Sequence, residues 1–122
     1  YYVSIDSSIG ASVPALRRKV LTGGPGVGDE EIGTGVEDLQ FHIGADVDGD
    51  GILDSFFDPG TLPAAAIPRC VRIWLRVRGV ERSGTTAASA GISYADRTWP
   101  AVNDGYDRML VTKTIQIRNS RP

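Results

Sequence analysis

Pro68-Arg69-Cys70-Val71-Arg72-Ile73-Trp74-Leu75-Arg76-Val77-Arg78 is the stretch on which the fold turns. Val71, Ile73, Leu75 and Val77 occupy every second position, and Arg72, Trp74, Arg76 and Arg78 fill the positions between. A repeat of two sends successive side chains to opposite faces of an extended chain, so the segment reads as a long β-strand. Its apolar face is expected to turn inward. Its basic face is expected outside, with guanidinium groups stacked on the Trp74 indole, worth about 0.5–1 kcal/mol when exposed. Two uses of that face stay open. It is a solvated surface held by cation–π stacking, or it docks an acidic partner through Arg72, Trp74, Arg76 and Arg78.

Downstream, residues 81–105 are rich in Gly, Ser, Thr, Ala, Asp and Asn, and are expected to form a mobile loop. Trp99 lies inside it, either packed back on the domain or serving as an interface anchor. Arg108 to Arg118 reads as a closing strand, with Val111, Ile115 and Ile117 inward and Lys113 interrupting that face. Upstream, residues 61–67 suggest one helical turn between Thr61 and Pro68. Leu39, Phe41 and Ile43 alternate with Gln40 and His42, again a strand, with His42 on the polar side. Ile32, Val36 and Leu39 are spaced by four and three, which predicts a short helix from Thr34 through Asp38 running straight into that strand. Residues 22–35 hold six glycines and Pro25, the composition of a flexible connection. Residues 1–6 and 13–21 read as two strands paired in a hairpin. The expected architecture is α+β: mainly antiparallel β-sheet with one short helix packed on it.

Asp46-Val47-Asp48-Gly49-Asp50-Gly51-Ile52-Leu53-Asp54 carries the sharpest chemical signal. Carboxylates at loop positions one, three and five, with Gly at six, match the first half of an EF-hand calcium loop. Alternate carboxylates aim inward, Gly51 permits the sharp turn, the Ile52 carbonyl adds an oxygen, and Asp54 occupies position nine. Position twelve is Phe57 rather than Glu, with Asp58 one residue later. The expected ligand set for Ca²⁺ is therefore Asp46, Asp48, Asp50, Ile52, Asp54 and Asp58, on a loop between strands. An exposed Asp/Gly turn without metal is the alternative.

The chain has 122 residues, a net charge of −2, one His and one Cys. One domain's worth of sequence builds one modest core. A single Cys excludes an internal disulfide, a CxxC redox pair and a Cys/His zinc site. The near-neutral balance argues against a nucleic-acid binder driven by bulk positive charge. Cys70 is expected to be a half-buried thiol; a disulfide to a missing segment or partner is the sharper alternative. Ser-His-Asp catalysis needs a His oriented by a carboxylate, and nothing places Ser and Asp around His42. Gly23-Gly24-Pro25-Gly26-Val27-Gly28 lacks the Lys-Ser/Thr of a P-loop. No enzyme is expected. The start at Tyr1, without Met and in strand pattern, is expected to be that of a piece lacking an N-terminal region, and no apolar run reaches the roughly 18 residues of a membrane span.

The order of segments resembles the C-terminal part of PilW-type minor pilins of type IV pili and, more distantly, the J-type pseudopilins of type II secretion. The pieces are Tyr1-Tyr2-Val3, Leu16-Arg17-Arg18-Lys19, Gly35-Val36-Glu37-Asp38-Leu39-Gln40-Phe41, the Asp46–Asp54 loop, Pro68 to Arg78, and Arg108 with Thr112 to Asn119. The resemblance implies a non-enzymatic head domain whose missing N-terminal helix anchors it in the inner membrane. The head then faces the periplasm before assembly and the cell surface in the pilus. It implies partners among other minor pilins, and a large tip adhesin, in a complex that primes assembly and sits at the tip. It supplies no catalytic residue. A secreted calcium-dependent adhesin or carbohydrate-binding module is the competing reading.

Overall fold

The computed structural model describes residues 1–84 and 88–118. The chain forms two compact units, Tyr1–Leu39 with Leu75–Val111, and Gln40–Trp74 with the described residues from Thr112 on. Strands β4 (Val36–Asp46), β6 (Ile67–Arg78) and β11 (Arg108–Gln116) run through both.

In the first unit, β1 (Tyr2–Ser4), β2 (Ala15–Leu21) and β3 (Val27–Thr34) form an antiparallel sheet in that order. The expected β1–β2 hairpin is present, with Val3 opposite Leu16. β3 corrects the reading of residues 22–35 as a flexible connection. Its glycines hide a strand whose acids face the bases of β2: Arg17 is opposite Glu31, Arg18 opposite Glu30 and Lys19 opposite Asp29. Cross-strand opposite charges of this kind stabilise a register. Only the tip, from Thr22 to Gly26, is loop, closed by the Thr22 N–H donating to the Gly26 carbonyl at 3.1 Å.

The helix expected from Thr34 through Asp38 does not exist, and no helix occurs among the described residues. The fold is all-β rather than α+β. The residue that decides it is Gly35, which has φ +82°. That left-handed conformation suits Gly and ends any helical path. Gly35 instead links β3 to β4, its N–H donating to the Pro14 carbonyl and its own carbonyl accepting from the Arg78 N–H at 2.7 Å. A Cβ here would collide with the Arg78 carbonyl oxygen. The helical turn expected at 61–67 is also absent. Isolated turns replace it, with Thr61 N–H donating to Asp58 and Ala66 N–H to Pro63.

Short strands organise much of the segment expected to be a loop. β7 (Ala88–Ser89) pairs with β10 (Val102–Asn103), and β8 (Ile92–Tyr94) pairs with β9 (Arg97–Trp99), all antiparallel. Residues 85–87 of that segment lie outside the described ones, as does Asn119, the last residue of the pieces that carry the resemblance.

In the second unit the strand order is β11-β6-β4-β5, with β5 spanning Ser55–Phe57 and Gly44 opposite Phe56. The core here is small: Ala45, Cys70 and Asp46 are buried. Cys70 is a free, fully buried thiol rather than a half-buried one. It fits because position 44 is Gly; a Cβ there would stand 2.5 Å from the Cys70 sulfur.

The face assignments on the long strands also need correcting. On β6 the buried side chains include Arg76, at 4% exposure, while Val71, Ile73, Leu75 and Val77 are only half-buried. Val111 and Ile115 on β11, and Ile117 just after it, are exposed rather than inward. Alternation reported the strands correctly; which face is covered depends on partners distant in sequence.

Candidate functional site

The Asp loop is a self-satisfied turn. Asp46, at the end of β4, is completely buried. Its carboxylate accepts from Gly49 N–H at 2.6 Å and Gly51 N–H at 2.9 Å, and from the Arg69 guanidinium at 2.6 Å. Gly49 and Gly51 have φ +82° and +91°, so both glycines serve the sharp turn. Asp48 accepts from Asp50 N–H, Asp50 from Ile52 N–H, and Asp54 from Val47 N–H. One carboxylate oxygen from each of Asp46, Asp48 and Asp50 lies within 4.8 Å of the others. Asp54 closes the loop from its far end. Asp58 instead caps its own turn by accepting from Gly60 N–H at 2.8 Å.

Arg69 is the residue that sequence reading missed. It brings a positive charge to the first carboxylate of the cluster. The Asp46 pKa is held below the ordinary carboxylate value, first by the Arg69 hydrogen bond and then by the two backbone N–H groups. Arg69 stands in the alternating segment that decides the fold, yet no local spacing ties it to Asp46.

The residues of the expected basic face divide between the two units. In the second unit Arg72 lies over the Phe56 ring at 3.8 Å and donates to Thr114 Oγ1 at 3.2 Å. Trp74 meets His42 edge to face at 5.1 Å. In the first unit Arg76 stacks on Trp99 at 4.1 Å and Arg78 on Tyr106 at 4.2 Å. The cation–π stacking expected on Trp74 is thus found on other rings, with Trp99 among them.

Arg76, Arg78 and Trp99 belong to a polar cluster around Glu37. Arg76 approaches the Glu37 carboxylate at 3.4 Å, Arg78 at 3.9 Å and Arg108 at 2.9 Å. Arg108 also holds Asp104 at 2.6 Å. The Asp104 hydrogen bond, then that of Glu37, raises the Arg108 pKa, and Arg108 in turn lowers that of Asp104. Next to this, the Tyr94 hydroxyl donates to buried Asp38 at 2.9 Å. Burial, then that hydrogen bond, pushes the Tyr94 pKa up. Together these contacts fasten the segment from Tyr94 to Arg108 to the rest of the unit. An open cleft of about 300 Å³ beside it is lined by Arg76, Gly91, Ile92, Arg108 and Met109, and both guanidinium groups there are already engaged by carboxylates.

The family model for PilW, type IV pilus-assembly protein W, matches residues 1–119. The chain belongs to the PilW family. No curated protein and no solved structure matches it. PilW proteins take part in type IV pilus assembly, a structural rather than catalytic task carried out with other pilus components. In a PilW protein the two polar clusters read first as what they visibly do, which is to fix loops on thin sheets with little apolar core.

Proposed function

We propose that this chain is the head of a minor pilin, a non-enzymatic subunit that joins other minor pilins to prime type IV pilus assembly and stands in the tip complex. The observation that carries the reading is the PilW match over residues 1–119. The fold supports it: side chains, turns and strands are committed to holding surfaces in place. In this reading the head is anchored to the inner membrane by an N-terminal helix and faces the periplasm, then moves to the cell surface with the pilus.

Deleting the gene tests the proposal. Pili are expected to be lost and to return on complementation, with gold-labelled antibody marking pilus ends. Unchanged piliation, together with chelator-sensitive binding of the purified protein to glycans, would instead favour a calcium-dependent binding module.

A further inference from the structure

β11 ends the strand order β11-β6-β4-β5, so one of its long sides has no strand neighbour among the described residues. In the second unit this edge runs over Thr112–Gln116. Every residue from Val111 to Arg118 is exposed. The Ile117 N–H donates to the Arg69 carbonyl at 2.9 Å, which turns it toward β6. By the alternation of an antiparallel ladder, Ile115 and Lys113 also point their main chain to β6, and Thr112, Thr114 and Gln116 point theirs outward.

Natural proteins blunt such edges with charged side chains, lysine above all, with proline, bulges or a covering loop. This one has no proline; Lys113 is its one such device, and the rest of Thr-Lys-Thr-Ile-Gln is rich in β-formers. A row of outward N–H and C=O groups recognises one class of ligand, another extended chain. Charge narrows the class. Thr112 to Arg118 contains Lys113 and Arg118 and no acid, and Arg72 reaches Thr114 from β6. An incoming strand therefore meets positive charge. A second copy of this chain is a poor source of it: the acids of its β3 edge are already paired, Asp29 and Glu31 with Arg17, and Glu30 with Arg18.

We propose that the outer edge of β11 over Thr112–Gln116 takes an acid-bearing β-strand from a different subunit of the pilus assembly, main chain to main chain. The identity of the partner as a pilus subunit rests on the function proposed above; the edge does not.

Thr114→Pro is the decisive variant. It removes an outward N–H while leaving the β6 ladder intact, a position where proline is tolerated. In the full-length protein it is expected to leave abundance and melting nearly unchanged while piliation drops about tenfold or more, as for loss of strand addition. Thr114→Val, which keeps the N–H, is expected to retain pili. Full piliation with Thr114→Pro, in a host where gene deletion abolishes pili, overturns the edge proposal and spares the pilus function. If deletion itself leaves pili intact, a synthetic peptide of alternating Glu and Val is the probe. Slowed amide exchange at Thr112, Thr114 and Gln116, but not in Thr114→Pro, upholds the edge, and no slowing overturns it. Concentration-dependent dimers abolished by Thr114→Pro would overturn it in favour of a second copy.

Discussion

Glu37 meets Arg76, Arg78 and Arg108, whereas Asp46 meets Arg69 and the amides of its own turn. The first carboxylate is a hub. Its partners come from two strands, β6 and β11, and one of them carries Asp104 as well. The second is a local anchor, with two of its three named donors lying within five residues of it. The difference teaches where a small protein spends its buried charge. A hub joins segments far apart in sequence and fails as a unit when its centre is lost. A local anchor keeps most of its hydrogen bonds when one partner leaves.

The comparison breaks most sharply at Glu37. Glu37→Gln leaves three guanidinium groups facing one neutral side chain, and removing one partner of a buried ion pair costs about 3–5 kcal/mol. Chemical denaturation should show that loss. A cost under about 1 kcal/mol, the range of exposed pairs, would make the hub no more than a surface network.

Acid offers a second, smaller comparison, because each region holds a depressed carboxylate: Asp104 in the hub and Asp46 in the turn. Glu31 adds a third, held at about 2 by the Thr34 and Ser7 hydroxyls and the Ser8 N–H. A carboxylate whose folded pKa lies below its unfolded one contributes stability that is complete above the unfolded value and is lost as pH falls through the folded one. Melting temperature is therefore expected to stay flat from neutral pH to about 5 and then fall toward pH 2. Glu31→Gln should flatten that fall. A melting temperature as high at pH 3 as at pH 7 would contradict the assignment.

Calcium gives the smallest expected effect and tests the turn alone. A divalent ion among Asp46, Asp48 and Asp50 has to share Asp46 with the Arg69 guanidinium, and like charges at that range oppose each other. Millimolar Ca²⁺ is expected to raise the melting temperature of Arg69→Ala more than that of the wild type. Equal shifts would show that Arg69 does not compete for the site. No shift in either would leave the loop as a turn closed by its own amides.

Much of this was legible in the residues. Alternation located β1, β2, β6 and β11, and the Asp/Gly spacing located the turn with its two left-handed glycines. The helix was misread because Ile32, Val36 and Leu39 fall at helical spacing by coincidence, while Gly35 between them takes a conformation that ends a helix. β3 was missed because glycines flank Asp29-Glu30-Glu31, whose meaning appears only opposite Arg17, Arg18 and Lys19. The two clusters were illegible for a different reason. Glu37 and Arg108 are 71 residues apart, and Asp46 and Arg69 are 23 apart. No periodicity encodes a pairing that only the folded sheet creates.

The thiol of Cys70 has one further consequence. It is the chain's single sulfhydryl, it is 1% exposed, and it sits where only a glycine at position 44 leaves it room. A water-soluble thiol reagent reaches it only when the strands around it part. Its labelling rate is thus a clock for the breathing of the second unit, built in without any added probe.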